Sequence, residues 1–365
     1  MSIKKVLFIF IYFISGLICG FIGIYYFDQL IDLSSFNNYL YVIFLLLLFV
    51  YSALFLHLII HECGHCLFGC LTGYQFISIR FGHFMFIKEN EHLHIKKYSL
   101  AGTAGQCLLA PPDNDENFPY ILYNLGGVLL NIITTFISWM MLLICSSYLC
   151  KIFLIIFICM GLFTACINGI PLQTSHIAND GYNALCLKRN KHARKAFWTQ
   201  MKINEYMSQG YRLKDMPENL FVMPLKEDMQ NALCYTVAIF CENRFMDQHQ
   251  FENAQELIYE LFENIPHIMG IYKHFLINDL IYLYILHNQQ HEITQLMDKE
   301  HMKIRKTMKK NPSFIRTQYA YELSFGYYEK AQKCLNDFQK LKNSYPYPSD
   351  IQSEQELIEI IKNKD

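Results

Sequence analysis

The residues of this sequence best suited to chemistry are two histidines and a glutamate at the end of a long apolar run. Residues 56–70 contain an H-E-x-x-H pattern that begins at His61 and ends at His65. Because residues four apart share one face of a helix, both imidazoles can bind one metal ion. Zn²⁺ suits imidazole ligands and makes a bound water more acidic. Glu62, beside the first ligand, could then accept a proton from that water.

A third ligand is needed, because a catalytic zinc generally has three protein ligands and one open position. The favoured candidate is Asp180, in the Asn179-Asp180-Gly181 sequence that follows the last apolar run. A carboxylate next to a membrane crossing is costly without a partner, and a metal would compensate it. The alternative interpretation of Asp180 is a helix cap, or an interfacial residue with no ligand role.

Two further histidines are placed near the predicted site. His57 lies on the same helix face as His61 and His65, but each helical turn rises about 5.4 Å, so three successive turns are too long to converge on one ion. We therefore expect His57 to pack between helices or to support a ligand from behind. His176 lies one turn before Asp180 and could orient the bound water or the substrate.

The 13 cysteines of the chain lie mostly inside apolar runs, without ribbon-like C-x-x-C pairs. They are therefore interpreted as reduced, small hydrophobic residues rather than as a disulfide framework. Cys63, Cys66 and Cys70 crowd the H-E-x-x-H pattern. Helix packing is the favoured interpretation for these three, and ligation of the metal by a thiolate is the alternative.

The composition indicates a membrane part joined to a soluble part. Of the 365 residues, 53% are hydrophobic and only 17% are charged, whereas soluble domains usually carry about 25% charged residues. The deficit of charge is concentrated in the first half of the chain. The net charge of −1 gives no indication of a nucleic-acid partner.

Four apolar runs are long enough to cross a bilayer, which takes about 20 residues. These predicted spans are residues 6–27, 39–60, 120–148 and 152–170. Two lysines, Lys4 and Lys5, precede the first span, and five basic residues between Lys188 and Lys195 follow the fourth. By the positive-inside tendency, both of these segments are cytoplasmic. The second and fourth spans then both run inward, so the H-E-x-x-H pattern and Asp180 reach the same depth.

Between the second and third spans, the pattern of residues 75–98 predicts a small membrane-associated β-hairpin. Its turn is expected at residues 88–91, which are charged and polar, and residues 101–112 are expected to be irregular. His92 and His94 alternate with apolar residues, so they are expected on the wet side of the hairpin. His83 is a further candidate for metal binding.

From about Asn190 the sequence is typical of soluble helices. Ala254, Ile293 and Ala331 recur at nearly even spacing within similar short segments, as in helix-hairpin arrays that resemble tetratricopeptide repeats. An irregular helical domain is the alternative. The predicted fold is therefore mainly α: a polytopic membrane protein with about four transmembrane helices, a small β-hairpin, and a C-terminal soluble α-helical, tetratricopeptide-like domain.

Three separated elements of the sequence form a recognisable combination. The first is the H-E-x-x-H pattern at the end of an apolar span. The second is residues 124–131, in which Gly126 and Gly127 precede Asn131. The third is the N-G-I-P sequence of residues 168–171, followed by the Asp-Gly pair at residues 180–181. Over about residues 40–187 the chain resembles the site-2 protease family of intramembrane zinc metalloproteases.

The resemblance implies a role for each matching residue. His61, His65 and Asp180 would be zinc ligands, and Glu62 would be the catalytic base. Asn131 would make a polar contact to the substrate or to the active-site helices. Three further residues are expected to contact the substrate or to support the ligands: Asn168, His57 and His176.

The chain departs from the family in three respects. Val128 follows the glycine pair, where the family often has proline. The separation of Asn168 from Asp180 is longer than in the shortest members of the family. No segment resembles a PDZ module, so the helices after Asn190 would take the place of that regulatory part.

The sequence thus predicts a zinc-dependent intramembrane metalloendopeptidase that cuts transmembrane proteins or membrane-bound peptides. Three domains are expected: a transmembrane metalloprotease domain (1–187), a linker or capping helices (188–226), and a cytoplasmic helical-repeat-like domain (227–365) that could bind a protein or peptide partner. The protein would be a multi-pass component of a bacterial plasma membrane, in contact with the lipid bilayer, with both termini cytoplasmic.

The alternative function is a membrane-anchored helical-repeat scaffold or receptor with a structural or inactive zinc site. A fourth protein ligand would favour that alternative, whereas an open position lined by Glu62 would favour the protease. In the protease, an unwound substrate would pair with the free edge of the hairpin, because a helical substrate hides its carbonyls in its own hydrogen bonds.

Overall fold

The structure is a computed structural model. It describes residues 16–17, 20–21, 25, 36–89, 92–98, 103–113, 117–173, 178–265, 268 and 270–364. The predicted first span, residues 6–27, lies almost entirely outside the described residues, and His176 lies outside them as well. The predicted mainly helical fold is confirmed.

In the part of the chain that the structure describes, three helices are long and apolar enough to cross a membrane: α1 (Phe36–Leu71), α2 (Tyr120–Ile144) and α3 (Tyr148–Gly169). Helix α1 has 36 residues, which corresponds to about 54 Å at 1.5 Å per residue. This length exceeds the roughly 30 Å of a hydrocarbon core. Apolar side chains such as Tyr51, which is 80% exposed, cover the outer face of α1, as expected for a helix that contacts lipid.

The connection between α2 and α3 differs from the prediction. The predicted third span continued to Tyr148, but α2 ends at Ile144 and Tyr148 already begins α3. Cys145 and Ser147 have extended backbone conformations, so the residues between the helices form a short turn. Such a short connection makes α2 and α3 antiparallel neighbours, and it leaves α3 longer at its start than predicted.

Glycines allow α1 and α2 to approach closely. A Cβ atom added to Gly64 in α1 would overlap the main chain of Gly126 in α2, and a Cβ atom on Gly126 would meet the carbonyl of Gly64. Small residues at such contacts let two helix backbones touch. The close approach places the H-E-x-x-H face of α1 directly against α2.

The segment between α1 and α2 is a four-stranded antiparallel sheet with the strand order β3-β2-β1-β4. Its strands are β1 (Gln75–Phe81), β2 (Phe84–Glu89), β3 (His92–Lys97) and β4 (Gly105–Ala110). The predicted single hairpin is therefore wrong in its strand count. The first turn is at Gly82 and His83, where Gly82 has a φ of +57°. Of the predicted turn at residues 88–91, Lys88 and Glu89 belong to β2, with Glu89 opposite His92 of β3, and residues 90–91 lie outside the described residues.

A second prediction is also wrong: residues 101–112 were expected to be irregular, but residues 105–110 form strand β4. It pairs antiparallel with β1, from Gln75 opposite Ala110 to Phe81 opposite Gly105. Its partner is distant in sequence, and its own residues lack the β-branched character that marks most strands. The sheet leaves one edge of β4 without a neighbouring strand among the described residues.

The rest of the described chain is helical and has its own large apolar core. The helices are α4 (Asp180–Arg189), α5 (Lys191–Ser208), α6 (Ala232–Asp247), α7 (Phe251–Asn264), α8 (Gly270–Leu286), α9 (Ile293–Leu296), α10 (Lys299–Thr307), α11 (Pro312–Ser324), α12 (Tyr328–Lys342) and α13 (Pro348–Lys362). We call α6–α13 the helical domain. Residues 191–208, predicted as part of a linker or capping segment, form one continuous helix.

The predicted tetratricopeptide-like repeat is not confirmed. Ala254, Ile293 and Ala331 are all buried, at 0%, 1% and 2% exposure. However, Ile293 begins a helix of only four residues, whereas Ala254 and Ala331 lie in helices of 14 and 15 residues. The three segments therefore do not form equivalent helix pairs, although each contributes a residue to the core.

The helical domain is attached to the sheet by specific contacts. Tyr98, just after β3, packs edge-on against Tyr345 and Tyr347, with ring centroids 5.7 and 6.4 Å away. On the other side, Trp198 of α5 donates a hydrogen bond from Nε1 to the carbonyl of Pro112 over 2.8 Å. The tyrosine contacts join the helical domain to the sheet, and the Trp198 hydrogen bond joins α5 to the segment that follows β4.

Candidate metal centre

Three side chains converge at the end of α1. The Nε2 atoms of His61 and His65 are 3.1 Å apart. Oδ2 of Asp180, the first residue of α4, lies 3.1 Å from Nε2 of His61 and 3.5 Å from Nε2 of His65. In a tetrahedral zinc site with bonds of about 2.0–2.1 Å, two ligand atoms are about 3.3 Å apart. The three atoms therefore have the spacing that a single tetrahedral ion requires.

The hydrogen bonds around these atoms fit a metal. Nδ1 of His65 donates to the carbonyl of Tyr123 over 2.7 Å, so the lone pair of a neutral His65 is on Nε2. Oδ2 of Asp180 is buried and has no donor with hydrogen-bond geometry among the described residues. Burial would raise the pKa of Asp180, but its contacts with His61 and His65 lower it to about 2. Electron-rich atoms thus face one another, and a cation would compensate them.

A second chain of hydrogen bonds orients His61 from behind. Nε2 of His57 lies 2.9 Å from the carbonyl of Phe157 and must donate to it, so Nδ1 of a neutral His57 accepts. Nδ1 of His57 and Nδ1 of His61 lie 3.2 and 3.4 Å from the two arms of the Asn131 carboxamide. The oxygen and the NH₂ group of a carboxamide have nearly the same size, so both orientations fit the same space. An NH₂ group facing His57 and an oxygen facing His61 satisfy both rings and leave Nε2 of His61 free for a metal.

The local fold explains why Asp180 reaches the histidines despite its long separation from Asn168. The side chain of Asn179 accepts hydrogen bonds from the main-chain N–H groups of Leu172 and Tyr182, both over 2.9 Å. It also donates to two carbonyls at the end of α3. Asn179 thereby folds the chain back onto α3 and caps α4. The alternative interpretation of Asp180 as the helix cap is wrong, because Asn179 has that role.

Glu62 lies beside the three converging residues without joining them. It is 7% exposed, and a Cβ atom added to Gly105 at the start of β4 would overlap its carboxylate. A cleft of about 550 Å³, which we call the metal cleft, is lined by Glu62, both motif histidines and Asp180. Asn168 also lines this cleft and donates from Nδ2 to the carbonyl of Thr164 over 3.1 Å.

Among the described residues, the group that could hold a metal consists of His61, His65 and Asp180. The cysteines of α1 do not belong to it, so the structure does not favour the thiolate alternative. His83, His92 and His94 are exposed and outside the metal cleft. Of the predicted site residues, Glu62 and Asn168 line the cleft, and His57 and Asn131 lie behind His61.

Two residues of the site were not predicted. Arg80 of β1 is 2% exposed, and its guanidinium donates to the carbonyls of Gly82 and Gly105 over 2.8 and 3.3 Å. It therefore positions the start of β4 against Glu62. The sequence did offer one signal for Arg80, because it is a single basic residue within an otherwise apolar strand. Tyr123 acts through its main-chain carbonyl, which no side-chain pattern reveals.

No protein-family model, curated protein or solved structure matches this chain. The function is therefore argued from the geometry and chemistry of the site.

Proposed function

We propose that this protein is a zinc-dependent intramembrane endopeptidase similar to the site-2 proteases. The observation that carries the proposal is the convergence of two imidazoles and one carboxylate at the end of a long apolar helix, with Glu62 beside them in a cleft. Three protein ligands leave one coordination position for water, which is the arrangement of catalytic zinc sites. A structural site, as in the scaffold alternative, would be closed by a fourth protein ligand.

In the proposed reaction, the metal and the side chains would each supply part of the catalysis. Zn²⁺ held by His61, His65 and Asp180 would polarise the scissile carbonyl and acidify the attacking water. The Glu62 carboxylate would accept the proton of that water and transfer it to the departing amine nitrogen. Gly105 leaves the space that the Glu62 carboxylate occupies. The Asn131 carboxamide and His57 would keep His61 in the tautomer that can bind the metal.

The sheet offers a way to present the substrate. The carbonyls of a transmembrane helix are engaged in its own hydrogen bonds, so the helix must unwind before water can attack. An extended segment can then pair with the open edge of β4 by strand addition. Gln106 and Leu108 of β4 line the metal cleft, so a paired segment would pass the metal. This edge replaces the edge of the 75–98 hairpin that the sequence predicted.

The candidate membrane helices favour substrates that are themselves embedded in a membrane. The metal cleft lies where α1 emerges from its most apolar portion, close to the basic segment that begins at Lys188. A basic segment of this kind favours the cytoplasmic face. We therefore infer a multi-pass protein of a bacterial plasma membrane that cuts single-pass proteins or membrane-bound peptides near their cytoplasmic ends.

The direct test uses the purified chain in detergent, loaded with Zn²⁺, and fluorogenic peptides that contain an apolar helix. Glu62→Gln should retain bound zinc, measured by elemental analysis, and lose about 10²–10⁴-fold in cleavage rate, because only the proton acceptor is removed. Cleavage by Glu62→Gln at the wild-type rate would exclude Glu62 as the base. The absence of any cleavage by zinc-loaded wild-type protein across such a peptide panel would favour the scaffold.

A further inference from the structure

A second cavity, of about 490 Å³, lies between the sheet and the helical domain; we call it the acidic cavity. Its volume is in the range of sites that bind small molecules or side chains. Four residues line both this cavity and the metal cleft: Gln106, Leu108, Tyr123 and Phe197. The two spaces therefore meet along β4, the strand whose open edge runs past the metal site. An extended chain paired with β4 would be directed from one space to the other.

The positive charges of the acidic cavity are already compensated. Two arginines, Arg212 and Arg316, belong to its lining and are almost fully buried. Each forms ion pairs with two carboxylates, namely Asp247 and Glu356 for Arg212, and Asp279 and Glu354 for Arg316. Because both guanidinium groups are used in this way, neither is available to bind an anionic ligand.

The carboxyl groups of the lining, Asp247, Asp350 and Glu354, outnumber its two arginines. Asp350 lines the cavity and forms no ion pair with a basic side chain in the described part of the chain. Glu354, which also lines the cavity, shares Arg316 with Asp279. Burial, and then repulsion from Glu354 and Asp247, raises the pKa of Asp350 to about 7. The lining thus contains one carboxyl group, that of Asp350, for which it has no arginine partner.

The neutral polar groups of the lining also offer acceptors. The carboxamide of Gln200 donates from Nε2 to the carbonyl of Leu233 over 2.6 Å, and that of Asn243 donates from Nδ2 to the carbonyl of Ile239 over 2.9 Å. In each case one N–H of the amide is used, and the amide oxygen can accept a hydrogen bond. Ser349, 4% exposed, has no partner for Oγ among the described residues. The complementary ligand is therefore a donor with a positive charge.

The apolar part of the lining is suited to the stem of such a group. Phe240, Tyr272 and Leu357 line the same cavity. Lysine and arginine bury their methylene stems along apolar surfaces and keep the charged end in polar surroundings. The cytoplasmic flanks of transmembrane segments are rich in these two residues. A substrate cut near its cytoplasmic end would therefore bring such a side chain close to this cavity.

We propose that the acidic cavity binds a lysine or arginine side chain on the cytoplasmic flank of the substrate, in the same extended chain that pairs with β4. This assignment rests on the proposed proteolytic function. The cationic end would lie against Asp350 and Glu354, and the stem would lie against the apolar wall. The helical domain then selects substrates by a charge at a fixed distance from the metal.

The test measures binding separately from cleavage. A dansyl-labelled peptide with an apolar stretch, followed by a polar stretch with one lysine, is titrated into full-length Glu62→Gln protein with Zn²⁺ in detergent. The matched peptide carries norleucine, which keeps the stem and lacks the ammonium. We expect the lysine peptide to bind on the order of tenfold more tightly. Moving the lysine along the polar stretch should give one optimal position, because the separation of the two spaces is fixed.

Changes in the protein give the complementary test. Asp350→Asn combined with Glu354→Gln should remove the preference for lysine, whereas Glu359→Gln, an exposed carboxylate on the same helix α13, should keep it. Equal binding of both peptides to the unaltered cavity would overturn the assignment, even if the double variant does not fold. A lysine preference that persists in a folded double variant would overturn it as well.

The two proposals fail in different ways. A preference for lysine in binding, with no cleavage of either peptide by wild-type protein, would support the acidic cavity and refute the protease. Cleavage of both peptides with equal affinities and equal rates would support the protease and refute the acidic cavity.

Discussion

The metal centre and the acidic cavity both gather more electron-rich groups than the chain compensates, but they differ in geometry. At the metal centre three ligand atoms lie within 3.5 Å of one another, so only a small ion fits between them. In the acidic cavity the carboxylates surround about 490 Å³, and two arginines already neutralise part of their charge. In our proposals, the first arrangement would bind a bare cation, and the second would bind a cation on a flexible stem.

The largest effect is expected on zinc affinity, from a substitution confined to the metal centre. Asp180→Ala should reduce zinc affinity by more than the roughly 10–100-fold that loss of a supporting hydrogen bond costs, because a direct ligand is removed. Competition with a chromogenic chelator measures this change. Asp113→Asn, at a carboxylate whose side chain is 97% exposed, should leave the affinity unchanged. Lysine-peptide binding by Asp180→Ala should persist, since the two regions recognise different cations.

The next effect concerns the acidic cavity. Arg316→Met should destabilise the helical domain by about 3–5 kcal/mol, because Asp279 and Glu354 would keep buried charges without a partner. Thermal unfolding in detergent, followed by circular dichroism, measures the loss. Lys330→Met, at an exposed lysine whose nearest carboxylate oxygen is 3.9 Å away, should change the stability by less than about 1 kcal/mol. Similar losses in both variants would show that the Arg316 pairs are not important for stability.

A smaller effect tests the support behind His61. His57→Phe and Asn131→Leu should each lower zinc affinity by about 10–100-fold, because the tautomer of His61 is no longer fixed. Thr134→Val is the control, since this hydroxyl does not line the metal cleft and donates to the carbonyl of Leu130 on its own helix. Unchanged zinc affinity in both His57→Phe and Asn131→Leu would separate these residues from the metal centre.

The smallest effect is the pH dependence of the helical domain. The pKa of Asp350 is raised from 3.8 to about 7 on folding, so between these values the unfolded chain loses a proton that the folded chain retains. Stability should therefore fall as the pH rises from about 4 to about 7. Asp350→Asn should reduce this decline in melting temperature, although Glu354, whose pKa burial also raises to about 7, should maintain part of it. Glu359→Gln should not change the decline. A bound lysine peptide should also reduce the decline, because it stabilises the ionised carboxylate.

The metal centre could largely be predicted from the sequence, because each of its residues is marked by a short sequence pattern on or beside a helix. Residues four apart on a helix share a face, and two apolar spans of the same direction end at the same depth. These two rules predict that His61, His65 and Asp180 meet, as they do in the structure. The capping network of Asn179, which returns the chain to α3, was not predictable, because it depends on main-chain carbonyls that become free only where α3 ends.

The sheet and the acidic cavity were much less accessible. Strand β4 has no clear alternation of its own, and it forms because β1 offers an edge about 30 residues earlier in the chain. The carboxylates of the cavity come from three helices, at Asp247, Asp279 and Asp350. Their proximity depends on packing between elements that are far apart in sequence. A regular helical repeat in the sequence would have predicted that these helices pack together. The short helix that begins at Ile293 interrupts any such repeat.

The stacking of Tyr98 against Tyr345 and Tyr347 has a consequence for how cleavage positions are chosen. Because these rings join the helical domain to the sheet beside the candidate metal centre, the proposed protease would measure a fixed distance along its substrate. It would count a set number of residues from a charged anchor to the bond it cuts, and the amino acids at that bond would matter little.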